Sequence, residues 1–504
     1  MSNKPNILFL LNDHQTYYGH GEMSGGPKIQ RPNFERLARE GIEFSHAYTA
    51  CPLCGPARRT LLTGLFPHNH RELKNEVNYP FDKETYLNIL ANAGYKNYYF
   101  GKWHAGPGTA HEHQCDGFSY PGYNNPFITS EYRAYLKKKN LPVFKAKIVR
   151  SFWDLEWKIP KDYDLEIGKE YTPLSPNYEE GVFGIMTTPK ETHEAFFLAH
   201  LACEKLRDLA ESNSEKPFHL RVDFWGPHPP YFVTQDFLDL YNPEDIPIYP
   251  NLDSDLINKP NIYKYDIYYP ISKNGKLIYP NPLPWPEWQK VLAISYAHNT
   301  LIDHAGGLIL NTLEKLGLND NTLVIWTLDH GDGLACHGGH FDKYSYMPEE
   351  MIRIPLAISY PDIIPSGQIS EHLVSNIDIA PTILDVAGLS FKSEVDGKSL
   401  LPICSEKSIK WREDLMCETH GHHAQTHIGR AILTNRYKYV FNHKDMDELY
   451  DLKNDPYELN NLIYEDEFDG LLDDMKRRLT HWRAETNDII DRQILRKILS
   501  GKIR

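Results

Sequence analysis

The sequence predicts an α/β fold with a large, mostly parallel sheet flanked by helices, followed by a smaller C-terminal α+β subdomain. Four short, largely apolar runs, residues 6–11, 97–100, 218–225 and 322–328, look like strands buried on both faces. Segments with helical start and stop signals lie between them, and strands alternating with helices give a parallel sheet. Polar residues follow the runs closely: Asp13 and His14 the first, Lys102 and His104 the second, His228 the third, Asp329 and His330 the fourth. Ligands in open α/β sheets bind beyond the carboxyl ends of the strands. Four strand ends carrying Asp, His and Lys therefore predict one shared site.

The intervening elements follow from local signals. Thr188-Pro189-Lys190-Glu191 reads as a capping box with proline at the first helical position, opening a helix to about Ser212. A second helix is expected from Glu287 to Leu316, stopping at Gly317. Cys54 is expected at a helix N-terminus, with residues 57–62 forming the first turns. The partial positive charge there favours anionic groups and lowers a thiol's pKa. Residues 123–183 and 241–285 read as insertions rich in Tyr, Trp and Pro, among them Tyr263, Tyr265, Tyr268 and Tyr269. Such aromatics either pack their own loops or form platforms for sugars. The pattern changes after residues 378–382 and 396–400. The large domain is therefore assigned to residues 1–402 and the subdomain to 403–504, with strands near 431–433 and 437–441 and a helix over 467–486.

Composition narrows the partners. A chain of 504 residues exceeds one simple core. Lys plus Arg number 54 against 68 Asp plus Glu, a net charge of -14, which excludes general nucleic-acid binding. An anionic substrate would need a local basic cluster. The seven cysteines, at 51, 54, 115, 203, 336, 404 and 417, are odd in number and scattered, which predicts a reducing compartment. The apolar run at residues 7–11 is too short for a signal peptide and nothing reaches transmembrane length. The expected location is cytoplasmic, with no membrane partner.

The run Cys54-Gly55-Pro56-Ala57-Arg58, closing in Thr63-Gly64, resembles the sulfatase signature. Cys51 lacks the downstream pattern and is expected to be structural. The resemblance, to sulfatases of the alkaline-phosphatase-like superfamily, extends over nearly the whole chain. Residues 5–8 leading to Asp13 look like the family's first strand and metal-binding Asp; many members have a second Asp where this chain has His14. Gly101-Lys102-Trp103-His104, Pro227-His228, and Asp329-His330-Gly331-Asp332 with His337-Gly338 and Lys343 resemble further family elements, as do residues 437–439, 448–452 and 455–456.

The resemblance implies that Cys54 is oxidised by a formylglycine-generating maturase. One hydroxyl of the hydrated aldehyde would attack sulfur to form a covalent sulfo-enzyme, and the other would lose its proton to expel sulfate. It implies Asp13, Asp329, His330 and the modified Cys54 as metal ligands, with His14 as a further candidate. Carboxylates suit Ca²⁺, whereas a ligating nitrogen at position 14 would shift preference toward Mn²⁺ or Zn²⁺; the reading leans to Ca²⁺ and keeps Mn²⁺ open. Arg58 and Lys102 would hold the diol and His104 would be the base for collapse. His228 would protonate the leaving alcohol and Lys343 would grip the sulfate. His337, His422 and Arg430, with His111, His113, His420, His423 and His427, suit a hydroxyl-rich leaving group, so a small sulfated saccharide is the expected substrate. Three other readings stay open: a phosphonate monoester or phosphodiester hydrolase of the same superfamily, a non-catalytic glycan-binding protein, and a Cys54 thiolate binding Zn²⁺. Homo-oligomerisation is left open.

Overall fold

The computed structural model describes residues 4–15, 23–120, 125–151, 168–173, 181–212, 216–252, 256–265, 271–273, 276–279, 283–361, 363–405, 409–422, 425–500 and 502. Its central sheet has eight strands. They are β1 (Asn6–Asp13), β2 (Ile42–Phe44), β3 (Lys96–Lys102), β4 (Cys115–Tyr120), β5 (Phe218–Pro227), β6 (Thr322–Leu328), β7 (Leu356–Ser359) and β8 (Gln368–Ser370). The spatial order is β8-β2-β7-β6-β1-β5-β3-β4. Only β7 runs antiparallel to its neighbours.

The four apolar runs are the four adjacent strands β6-β1-β5-β3, so the strand ends that carry the predicted polar residues lie side by side. The reason is burial on both faces. In β1, Leu8 and Leu10 enter one core while Ile7, Phe9 and Leu11 enter the other. Burying each such side chain contributes roughly 1.5–3 kcal/mol. On the first face lie helices α1 (Pro32–Glu40), α3 (Glu194–Glu211) and α4 (Trp285–Lys315). On the second lie α2 (Cys54–Thr63) and α5 (Ile379–Val386). The fold is the expected α/β architecture.

Two local expectations need correction. Strands β1 and β3 run further than the apolar runs, so Asp13 and Lys102 are strand residues. The capping box at Thr188 does not form. Thr188 Oγ1 instead pairs with Thr192 Oγ1 at 2.8 Å, and residues 190–192 make a short 3₁₀ turn. Helix α3 starts at Glu194 with His193 as its cap, the ring Nδ1 accepting from the Ala195 N–H. Helix α4 ends as expected, with Gly317 at φ +66°.

Within the first insertion, Ala146–Ser151, Glu170–Tyr171 and Val182–Met186 join Tyr231–Val233 in a small second sheet. In the other insertion Tyr263 is buried with Leu256 and Ile262 against Tyr346, ring centroids 4.4 Å apart, and so packs the insertion onto the segment that carries Tyr346. Tyr268 and Tyr269 lie outside the described residues, as does the side chain of Tyr265. All seven cysteines are free and buried. Among the described residues no helix is long and apolar enough to cross a membrane.

Toward the C-terminus four antiparallel strands follow in chain order: β9 (Leu415–Thr419), β10 (Gly429–Leu433), β11 (Tyr437–Asn442) and β12 (Glu448–Asp451). Ile403 and Cys404 still belong to a core of the large sheet. Residues of one face of the small sheet pack with Tyr48, Met347 and Ile352. The other face covers Met475 and Leu479 of α6 (Asp469–Glu485). The last helix, α7 (Arg492–Leu499), seats Leu495 and Ile498 against Leu73 and Ile428.

A buried ionic cluster ties this sheet to the turn after α2. His68 Nδ1 lies 2.6 Å from Glu418 Oε2, and its Nε2 lies 3.1 Å from the Thr486 carbonyl. Both partners accept, so both ring nitrogens donate and His68 is the imidazolium. Burial opposes that charge, but Glu418 raises the His68 pKa above 6.5. Burial likewise opposes the Glu418 carboxylate, yet His68 and Arg430 hold its pKa well below 4.5. The signs are opposite. Glu418 contributes stability above pH 4.5 that is lost as pH falls through its folded value. His68 contributes stability below pH 6.5 that is lost as pH rises through its folded value. Glu418→Gln is expected to cost about 3–5 kcal/mol near neutrality and to flatten the acid limb, read by urea unfolding against pH.

Candidate active site

The site is organised around Arg58. Cys54 is the first residue of α2, and Arg58, four residues on, shares its side of the helix. The Arg58 guanidinium is fully buried and its planar fork meets three carboxylates. Nε donates to Asp329 Oδ2 (3.0 Å), Nη1 to Asp223 Oδ2 (2.9 Å) and Nη2 to Asp13 Oδ2 (3.0 Å). The three adjacent strands β6, β1 and β5 are thereby tied to one side chain, a geometry lysine could not reproduce. Lys102 also pairs with Asp13 Oδ2 and lies 3.8 Å from Cys54 Sγ. Gly101 before it is obligatory: φ is +118°, and a Cβ would sit 2.0 Å from the Asp223 carbonyl oxygen.

Asp223 and Asn75 are site residues that the sequence did not single out. Asp223 also accepts from Arg221 Nε (2.6 Å) and the Tyr99 hydroxyl (2.7 Å). The available signal was Arg221-x-Asp223, an alternating charged pair inside an apolar strand. Asn75 Oδ1 accepts from the Gly55 N–H at 2.8 Å, at the start of α2. No local pattern pointed to it.

Asp13, Cys54, Asp329 and His330 each present a donor atom within 4.8 Å of the others, all buried. They fit a divalent cation. Arg58 and Lys102 occupy Oδ2 of Asp13, while its Oδ1 faces Cys54 Sγ at 3.7 Å. His330 Nδ1 lies 2.8 Å from the Gly331 carbonyl, which places a proton on Nδ1 and leaves Nε2 to face Cys54 Sγ, 3.1 Å away. Burial disfavours the Asp13 carboxylate, but Lys102 and Arg58 outweigh it and hold its pKa well below the usual range. Asp329 is raised by burial and by Asp13. Burial and Asp13 push the Cys54 thiol up; Lys102, Lys343 and His330 outweigh them and bring it down to about 7.

His14 is not part of this donor group. Its backbone N–H donates to Asp329 Oδ1 (3.1 Å), but its ring turns to Lys343, Asp332 and Asp342. Its backbone sits at φ +56°, and its ring packs against that of His330 with centroids 5.0 Å apart. The nitrogen-based case for Mn²⁺ or Zn²⁺ thus has no ligand at position 14.

His104, His228, Lys343 and His422 line one cavity of about 400 Å³. Lys74, Asn75, Glu76 and Asp342 share its wall, and Leu499 of α7 closes one edge. His104, at φ +41°, is kept neutral by burial and by Lys102 and Arg58. His337 and Arg430 do not line this cavity. His337 is buried 3.4 Å from Glu350 Oε2, and Arg430 is buried against Asp488 (2.8 Å) and Glu418 (3.5 Å). Both are structural partners of carboxylates. His113 packs on Trp103, His420 meets Glu418 and His427 meets Asn442. His423 lies outside the described residues.

This sheet, with its buried cluster of candidate metal ligands beside the strand ends, has the alkaline-phosphatase-like α/β fold. Residues 5–389 match the family described as Sulfatase, and residues 336–485 match N-sulphoglucosamine sulphohydrolase, C-terminal. The chain belongs to the sulfatase family, whose enzyme class is sulfuric ester hydrolase. It is 29% identical to an N-acetylglucosamine-6-O-sulfatase of Bacteroides thetaiotaomicron, over 92% of this chain and 84% of the relative. Two solved structures share the fold. BT4656, in complex with its substrate D-glucosamine-2-N,6-O-disulfate, has a TM-score of 0.70 and 24% identity, covering 96% of this chain and 99% of that one. The phosphonate monoester hydrolase of Agrobacterium radiobacter has a TM-score of 0.75 and 21% identity, covering 96% of each.

Proposed function

We propose that this chain hydrolyses the sulfate ester of a small sulfated saccharide, through a formylglycine made from Cys54 by a maturase and a divalent cation. One observation carries the reading: the donors of Asp13, Cys54, Asp329 and His330 converge beside the residues that line a polar cavity. When present, the cation would polarise the sulfuryl oxygens and lower the charge that repels a nucleophile. Asp13, Asp329, His330 and residue 54 would hold it; the two carboxylates favour Ca²⁺, and Mn²⁺ remains compatible with the imidazole. Formylglycine would supply a hydrated aldehyde as the nucleophile.

The chain's own groups then divide the work. Lys102 and Arg58 fix Asp13 and keep the nucleophilic position electropositive. His104, held neutral, accepts the proton whose removal releases sulfate from residue 54. Lys343 seats the sulfate and the bridging oxygen. His228 Nδ1 lies 2.7 Å from the Pro229 carbonyl, so Nε2, which takes up a proton from solvent as the ester binds and the ring becomes the imidazolium, is the atom that delivers it to the departing alcohol. Burial, Lys343 and Lys102 depress its pKa in the free protein, and an anionic ester seated against Lys343 offsets the two cations. The wall of Lys74, Asn75, Glu76 and His422 suits a hydroxylated leaving group. The N-acetylglucosamine-6-O-sulfatase relative supports the same class.

Removing a general acid hurts poor leaving groups most. His228→Ala is expected to lower kcat on a sugar sulfate by about 10²- to 10⁴-fold, and to spare an activated aryl sulfate. Equal losses on both would remove His228 from that role. The function itself is tested by sulfate release from glucosamine 6-sulfate, beside a matched phenyl phosphonate ester. Preferential sulfate release supports the reading, preferential phosphonate cleavage replaces it with the phosphonate hydrolase, and binding without turnover replaces it with a glycan-binding protein.

A further inference from the structure

We infer that His14 is a positioning residue that fixes the ammonium of Lys343 in the cavity, an assignment that rests on the hydrolase reading above. Lys343 Nζ faces His228 Nε2 at 3.0 Å, His14 Nδ1 at 3.2 Å and Asp342 Oδ1 at 3.5 Å. An ammonium only donates, so both ring nitrogens that face it carry lone pairs. The proton of His14 therefore lies on Nε2, which sits between Asp332 Oδ1 and Asp342 Oδ1, each 3.3 Å away. These carboxylates are themselves fixed. Asp332 Oδ2 accepts from the Tyr231 hydroxyl (2.8 Å) and its Oδ1 from the Leu334 N–H (3.1 Å), while Asp342 Oδ1 accepts from the Lys343 N–H (2.8 Å).

The backbone serves the same end. A φ of +56° is a left-handed backbone that histidine adopts more readily than most residues, and the His14 N–H donates to Asp329 Oδ1 from it. The ring of His14 meets that of His228 edge-on at 4.8 Å, so the two imidazoles flank one lysine from two directions. Lysine has a flexible four-carbon stem and a point charge, and its aim depends on such neighbours. Position 14 thus serves to aim the sulfate-binding lysine.

A double-mutant cycle tests this. His14→Ala should lower kcat/KM on a sugar sulfate by about 10- to 100-fold. In a Lys343→Ala background it should cost less than about twofold, because the two residues act through one another. His14→Asn, whose Oδ1 reproduces the Nδ1 acceptor, should restore most of the loss, and His14→Gln should not. Affinity for Ca²⁺ and Mn²⁺, titrated directly, should change by less than about threefold in His14→Ala. Additive losses in the cycle, or a fall of about tenfold or more in metal affinity, would overturn the assignment. Should the wild type release no sulfate, the functional reading fails alone. Histidine-ring nitrogen NMR on the free protein then decides the inference: a proton on Nε2 upholds it and a proton on Nδ1 rejects it.

Discussion

Cys54→Ala is expected to abolish sulfate release, lowering kcat by about 10⁴- to 10⁶-fold while leaving the fold intact. The size of the effect follows from its place. Cys54 Sγ lies 3.1 Å from His330 Nε2, 3.7 Å from Asp13 Oδ1 and 3.8 Å from Lys102 Nζ, at the meeting point of the three groups. The stability cost is small. Alanine is a good helix former, α2 keeps its other contacts, and removing one sulfur at its first turn costs about 1 kcal/mol. Turnover assays and thermal unfolding on the same preparation check both halves. Wild-type turnover in the variant would remove Cys54 from the chemistry.

Asp13→Asn is expected to cost both catalysis and stability. Asp13 is fully buried and is shared by Arg58, Lys102 and the metal donor group. Neutralising it leaves two buried cations short of a counter-charge, a loss of about 3–5 kcal/mol. It also removes one of two carboxylates from the cation's donors, so affinity for Ca²⁺ or Mn²⁺ should fall by at least about 100-fold and sulfate release should fall with it. Calorimetric metal titration and urea unfolding separate the two effects. Unchanged metal affinity would place the cation elsewhere.

The sheet was legible because strands buried on both faces are mostly apolar, and β1, β3, β5 and β6 each contain such a run, β5 with His219, Arg221 and Asp223 set among its apolar residues. The convergence of Asp13, Lys102, His228, Asp329 and His330 followed from their positions at strand ends. Asp223 was hidden because it sits inside one of those apolar runs, where its partners Arg58 and Tyr99 come from distant segments. Asn75 was hidden for a similar reason: its bond to Gly55 depends on a loop path that carries no periodic signal. Arg430 and His337 were assigned to substrate because a charged residue near a motif reads the same whether it faces a ligand or a buried carboxylate. Only the positions of Asp488 and Glu350 separate the two cases. His14 was a further ligand candidate because it stands where the resembled family has a second Asp; its ring instead faces Lys343, Asp332 and Asp342, a set of partners that residue order does not reveal.

The most direct measurement is the mass of the peptide that contains Cys54, taken on protein from its native host. An aldehyde at position 54 is the predicted result, and it would establish the nucleophile on which every catalytic role above depends. An unmodified cysteine in active protein would contradict the account and transfer the chemistry to a Cys54 thiolate or to another group.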